Sequence, residues 1–320
     1  MEDRKKIGIL GVNMVYLITA ILLLTVGAYV QRNEVKSGLI ITEYILVLLP
    51  PIIYAKIKQG NFKKIFRLNR LSLKHGLLII CITTLVYPVA LFFNLIVMTL
   101  LSTLGKLPQP PIPTANNMGE YFLLMMIIAV SAGICEEVFF RGLVLRGYEK
   151  LGQKYAVIIS AILFGLFHFN LQNFAGPTIL GLVFGYLVYR TNSLWAGVIG
   201  HITNNGVAVT LGFMINVVNQ KLIQNDVPTV EQMPDTIQLG AATFSVGIIA
   251  LLTGTVAYFL LRIIIRDTQY HQYDMGFVDQ EEWITEEKTK SSLLIRVLPI
   301  LITVMIYFYV GYLQIKYIMK

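Results

Sequence analysis

Nine apolar runs, each close to the length that spans a hydrocarbon core as a helix (about 20 residues), constrain this chain more than any other feature. They cover Ile7 to Val30, Leu39 to Ala55, Gly76 to Leu101, Tyr121 to Leu145, Tyr155 to Phe169, Leu171 to Tyr189, Leu194 to Ile215, Ala241 to Leu261 and Val297 to Ile315. With 56% hydrophobic residues, only 14% charged and a mean hydropathy of +0.68, the chain reads as an integral membrane protein. The expected fold is an all-α, polytopic membrane helix bundle of about 8–9 transmembrane helices. The fifth and sixth runs are the weakest, because their joint "HFNLQNFAGP" is short and only mildly polar.

The first run is too long for a signal-peptide core and lacks a small-residue cleavage site, so it reads as a retained helix behind "MEDRKK". Cys81 and Cys135 both fall in apolar runs, which argues against a disulfide framework. Lys and Arg segregate by loop. With a cytoplasmic N-terminus, all but six of the 26 (Arg32, Lys36, Lys106, Lys221, Lys316 and Lys320) fall on the inner side, and the C-terminus lies outside. The acid-free "KIKQGNFKKIFRLNRLSLK" fits anionic headgroups better than nucleic acid. "DQEEWITEEK" reads as a solvated surface, and "KLPQPPIPT", Lys106 to Thr114, as a stiff extracytoplasmic connector. Three regions are expected: residues 1–118, three N-terminal helices; residues 119–213, a central core; and residues 214–320, a C-terminal region with an acidic cytoplasmic loop.

Few ionisable groups lie deep in the runs: Glu43, Glu136, Glu137, His168 and His201, with Arg141 nearer a helix end. Such groups cost several kcal/mol each to bury and are functional candidates by default. Glu136 lies 16 residues before Gly152 and His168 lies 16 after it, so in a hairpin turning there both sit about 24 Å from the turn. His201 enters the seventh run at a comparable depth, with Asn205 one turn deeper and Asn204 near the same face. Three helices should therefore meet in one polar pocket. Glu137 and Arg141, at i and i+4, share a face, whereas Glu136 is rotated about 100° from it. Glu137 thus reads as the structural partner of Arg141, leaving Glu136 to meet His168. A Glu and a His can hold and deprotonate a water, and a His with an Asn can donate to an oxyanion, which together fit amide hydrolysis.

These residues resemble a known family. "EEVFFR" (Glu136 to Arg141), "FGLFH" (Phe164 to His168) and "HITNN" (His201 to Asn205) are similar to the motifs EExxxR, FxxxH and HxxxN of the CPBP family, which includes CAAX-type prenyl endopeptidases and bacteriocin-processing enzymes. The resemblance covers roughly Gly119 to Phe213. It implies an intramembrane endopeptidase with a conical cavity opening toward the cytoplasm and a lateral gap toward lipid. It assigns water binding to Glu136 and His168, an oxyanion site to His201 and Asn205, and support to Glu137 and Arg141. Glu136, His168 and His201 could supply three zinc ligands, although no HExxH is present, and no cofactor is certain. The long loop from Asp267 to Lys290 and a ninth span depart from the usual eight-helix core.

Blander readings compete. Glu136 with His168 could be a buried polar pair that locks helix packing. Glu43 reads as snorkelling to the outer interface, and Cys135 as an inert thiol in an apolar setting. Gly133, Gly142, Gly165 and Gly197 read as close helix contacts. The preferred reading is a glutamate-dependent endopeptidase, zinc-assisted if Glu136, His168 and His201 hold the metal, in the bilayer of a bacterial plasma membrane. It would act on membrane-bound or prenylated CAAX-type proteins, or on leader, pheromone or bacteriocin peptides. The alternative from another class is a non-proteolytic scaffold, such as an immunity or cell-wall regulatory protein. A proton-coupled transporter is disfavoured because no internal repeat is visible.

Overall fold

A computed structural model describes residues 7–108, 113–224, 235–269 and 293–320, so the acidic loop lies almost wholly outside the described residues. Each apolar run becomes a helix, and no strand occurs among the described residues. In chain order these are α1 (Ile9–Asn33), α2 (Val35–Ile57), α3 (Leu73–Ser102) and α4 (Met118–Leu151). They are followed by α5 (Gln153–Leu166), α6 (Ala175–Thr191), α7 (Leu194–Gln224), α8 (Asp235–Asp267) and α9 (Leu293–Ile318). Eight are long and apolar enough to cross a membrane.

Polar caps set the boundaries. Glu34, Ser72 and Asn117 accept backbone N–H bonds at the starts of α2, α3 and α4. Gly152, at φ +90°, turns the chain from α4 into α5, a conformation that a Cβ would strain. Asn192, at φ +47°, closes α6 in the left-handed region.

Two ends of the bundle are distinct. At one end, Arg67 pairs with Glu149 and its Nε donates to Asn192 Oδ1 at 3.0 Å. Arg146 reaches Glu149 and the Lys64 carbonyl, and Lys74 pairs with Asp267 at 2.7 Å. Burial lowers the Arg67 guanidinium from its ordinary value, while Glu149 beside it acts in the opposite sense. This is the basic end. The opposite end joins Lys36 to Glu120, Asn216 to Ala115, and Thr236 to Ser102.

The fifth run differs from expectation. Helix α5 has 14 residues, about 21 Å, which falls short of the roughly 30 Å hydrocarbon core. With α6 it forms a hairpin that leaves from the basic end and returns to it. Its tip stops inside the apolar thickness, where free backbone groups need partners. Asn94 on α3 supplies one set, accepting from Gly176 N at 2.6 Å and donating to Asn173 Oδ1 at 3.0 Å. Gln314 on α9 supplies another, accepting from Leu171 N and donating to the Phe169 carbonyl.

One core runs through all three expected regions, from Val12 and Tyr16 on α1 and Ile79 and Ile82 on α3 to Phe139 and Phe140 on α4, Phe184 on α6 and Ile264 on α8. Outward, α8 presents Phe244, Leu251 and Phe259, a side suited to lipid rather than water. The small residues act as expected: a Cβ at Gly133 would meet Ile202 at 2.6 Å, and one at Gly142 would meet Phe66 at 2.5 Å.

Candidate functional site

The site rests on an ion pair. Glu137 and Arg141, one turn apart on α4, are both fully buried, and Glu137 Oε1 accepts from Arg141 Nη1 at 2.7 Å. The same carboxylate lies 2.9 Å from His201 Nδ1 on α7. The guanidinium sits 4.5 Å from the Phe164 ring and 5.5 Å from the Phe184 ring, one face of attraction from α5 and one from α6. Four helices are joined through these two side chains. A Cβ at Gly197 would collide with Glu137 Oε2, so α7 needs glycine there to approach.

Desolvating such a pair costs about what its attraction returns, so its presence is weak evidence for stability and better evidence for positioning. What it positions is His201. Glu137 Oε1 already accepts from Arg141 and can only accept again, so His201 Nδ1 carries the proton. The ring is held flat against Phe184 at 5.7 Å and edge-on to Phe164 at 5.7 Å. Its Nε2 is then directed toward Glu136, 3.9 Å from Oε2.

His168 has the same polarity. It lies just past the end of α5, where Nδ1 donates to the Phe164 carbonyl at 2.9 Å, leaving Nε2 as a bare acceptor. Glu136 makes no hydrogen bond to His168; its Oε2 is buried and has no hydrogen-bond partner among the described residues. The sequence placed the two within direct bonding range. The structure instead sets both on one wall without a direct bond between them. That wall borders a cavity of about 390 Å³, which His201, Asn204 and Asn205 also line.

Asn205 donates through Nδ2 to the Ile128 carbonyl at 2.9 Å, which identifies the amide end, and its Oδ1 accepts from Asn204 Nδ2 at 3.0 Å. One N–H of Asn205 therefore remains for a ligand. Asn204 orients Asn205, an arrangement the motif alone leaves open. For His201 to donate to the same oxygen from Nε2, it must carry both protons.

Two imidazole nitrogens with anchored far sides and one carboxylate match the donor chemistry of zinc. Their spacing does not: among the described residues no three His, Cys, Asp or Glu side chains stand at metal-holding distances.

Glu43 departs from its sequence reading. It is buried at 8% exposure and does not snorkel, since it sits eight residues beyond Val35 in α2, more than two turns from that end. It lines a second cavity of about 260 Å³, on the other side of Glu136 and His168, with its Oε2 unpartnered. The usable signal was a carboxylate inside an apolar run. Cys135 is fully buried and lines neither cavity. Phe164 is the first residue of the FxxxH motif, but its stacking role beside Phe184 is not legible, because Phe184 in a hydrophobic helix carries no distinguishing pattern.

The family model for Rce1-like proteins, described as Type II CAAX prenyl endopeptidase Rce1-like, matches residues 118–207. That segment runs from the start of α4 past Asn205 and contains every residue of the site apart from Glu43. A Bacillus subtilis (strain 168) protein named "Putative membrane peptidase YdiL" is 29% identical over 90 residues, which is 28% of this chain and 37% of that protein. The chain thus matches little more than a third of the length of that curated relative. No solved structure matches the chain.

Proposed function

From a segment that carries the Rce1-like family signature, we propose that the protein is an intramembrane endopeptidase that uses Glu136 as general base. The observation carrying this reading is the polarity of the pocket. His168 Nε2 and the Glu136 carboxylate are acceptors on one cavity, and His201, whose Nδ1 is held by Glu137, faces it as a donor from Nε2 when the ring carries both protons. A water has two O–H donors to offer such a set. Held by His168, it loses one proton to Glu136 as its oxygen attacks the scissile carbonyl carbon. The resulting oxyanion accepts from the free N–H of Asn205 and from doubly protonated His201. The C–N bond then breaks as the proton on Glu136 passes to the leaving amine. Glu137 and Arg141 fix the ring of His201 and do not touch substrate.

The substrate class that fits is a membrane-associated or prenylated CAAX-type protein, or a leader, pheromone or bacteriocin peptide. The basic end is assigned to the cytoplasm, with the N-terminus inside, on the segregation of Lys and Arg. A zinc ion, if bound, would polarise the carbonyl, but the spacing of Glu136, His168 and His201 gives it no support.

A second reading is a scaffold in which the polar cluster only joins helices, favoured by the full burial of the Glu137 and Arg141 pair. Host cells carrying Glu136→Gln at matched membrane levels separate the two. Peptide termini present with the parent chain are expected to vanish with the variant. An unchanged set of termini, with biological activity retained, would instead establish the scaffold.

A further inference from the structure

A second cavity meets the site from its other side. It holds about 260 Å³ between α1, α2 and the end of α5, and Glu136 and His168 border it as they border the first. Its remaining polar lining is Gln31, Thr42 and Glu43. Glu43 is the costly member: its buried Oε2 has no hydrogen-bond partner among the described residues, and a desolvated carboxylate without donors costs several kcal/mol. Glu137 is buried too, but Arg141 and His201 answer it, whereas the lining beside Glu43 carries no lysine or arginine among the described residues. A polar lock between α1 and α2 does not need Glu43, because Gln31 Nε2 already donates across them to Thr42 Oγ1 at 2.9 Å.

The chamber suits water. A water takes about 30 Å³ and, when buried, needs two to four polar partners, so there is room for several. The Gln31 to Thr42 bond leaves Gln31 Oε1 and the Thr42 O–H available, and with Glu43, Glu136 and the His168 imidazole both donors and acceptors line one space. The lining extends to exposed Ala28 and to half-buried Gln31, less than a turn from the exposed Arg32 and Glu34 where α1 gives way to α2. The backbone around it is also unusual. Among the described residues every π-helical turn lies on α1, α2 or α4, three elements that border the chamber, and such turns recur at functional sites. Phe169, at φ +46°, turns the chain just past His168 in a left-handed conformation rare for an aromatic residue.

We propose that this chamber holds water and supplies it to Glu136 and His168 from the side away from the substrate, with Glu43 as the positioning residue that keeps the chamber hydrated. This rests on the endopeptidase reading for what consumes the water. Each turnover adds one water across a peptide bond, its hydroxyl to the acyl carbon and its remaining proton to the amine. A peptide segment lying in the 390 Å³ cavity displaces water there, so the next water comes from behind the wall that Glu136 and His168 form, where the second chamber stands. Glu43 touches no reacting atom. It accepts from waters whose other hydrogen bonds go to Gln31, Thr42 and Glu136.

Water in the chamber can be read without proteolysis. The full chain in detergent, as parent, Glu43→Leu, Glu43→Gln and Glu136→Gln, is given a brief X-ray dose that oxidises side chains beside bound water, and the oxidised sites are mapped by mass spectrometry. Phe167 and Phe169 line this chamber and not the first cavity, while Phe139 and Phe140 are fully buried and report the dry core. Oxidation of Phe167 and Phe169 above that of Phe139 and Phe140 is expected in the parent chain and in Glu136→Gln. It should fall to the core level in Glu43→Leu and return in Glu43→Gln, whose amide still bonds water. Peptide termini from host cells at matched membrane levels should fall about tenfold or more with Glu43→Leu, and Glu43→Gln should recover most of that loss. Phe167 and Phe169 as unreactive as the core in the parent chain overturn the proposal, an outcome that needs no variant to fold. Termini undiminished by Glu43→Leu despite a dry chamber overturn the supply role, and termini lost with Glu43→Gln despite a hydrated one overturn it in favour of proton transfer by Glu43. A hydrated chamber with no termini separating the parent from Glu136→Gln sinks the endopeptidase reading and the supply role with it, whereas a dry chamber with those termini intact sinks the supply role alone.

Discussion

Arg141 shows how one buried side chain can be costly and still retained. Its guanidinium is fully buried, shared between Glu137 and two aromatic rings, and its Nε has no partner among the described residues. Removing one member of such a pair leaves an uncompensated charge, so Arg141→Leu is expected to destabilise the protein by about 3–5 kcal/mol. The double variant Glu137→Leu with Arg141→Leu should recover much of that loss while leaving His201 free to rotate. Thermal unfolding in detergent reads the first effect, and lost peptide cleavage at retained stability reads the second. A double variant no more stable than Arg141→Leu would show that the pair is a structural strut. The pairing of Glu137 with Arg141 was legible from their i, i+4 spacing, but the bond from Glu137 to His201 was not, because it crosses 64 residues between helices whose relative rotation no local pattern encodes.

At the scale of elements, the hairpin of α5 and α6 places His168. The turn at Gly152 sets where α5 begins, and its φ of +90° lies where an L side chain is strained. Nothing lies within 4 Å of the Cβ position there, so Gly152→Ala tests backbone conformation without a clash. We expect a loss of about 1–2 kcal/mol, measured as a lower unfolding temperature in detergent, and retained stability would refute the strained turn. Length decided the rest: α5 ends after 14 residues, so His168 sits at a helix terminus in mid-bundle, where its Nδ1 can reach the Phe164 carbonyl. The sequence suggested a weak fifth span from its mildly polar exit. It did not reveal that Asn94 and Gln314, 220 residues apart, satisfy the tip. Lone amides in long apolar runs were the overlooked signal.

The whole molecule behaves as a bundle closed at one end. Arg67 and Glu149 close it, both nearly inaccessible and bonded to each other and to neighbouring loops. Arg67→Ala should leave Glu149 with Arg146 alone and loosen the loops over the basic end. Backbone amides near Asn192 and Gly152 are then expected to exchange hydrogen faster, as measured by exchange mass spectrometry, while amides of the α7 wall above His201 stay as protected as in the parent chain. Equal acceleration at both places would mean that the closed end does not shield the site.

Sequence alone determined the helical, multispanning character and the order of the nine helices seen among the described residues, the pairing of Glu137 with Arg141 and the set of polar residues that meet. Each follows from local physics: a bilayer demands about 20 apolar residues per crossing, and helical periodicity assigns faces. Only the tertiary structure decided which nitrogen of each imidazole faces the cavity, that Glu43 is buried beside Glu136, that the zinc spacing is not met, and that Arg67 and Glu149 close the basic end. Those depend on how helices rotate and approach one another, and in an apolar solvent that is settled by close packing and a few interhelical hydrogen bonds between distant parts of the chain.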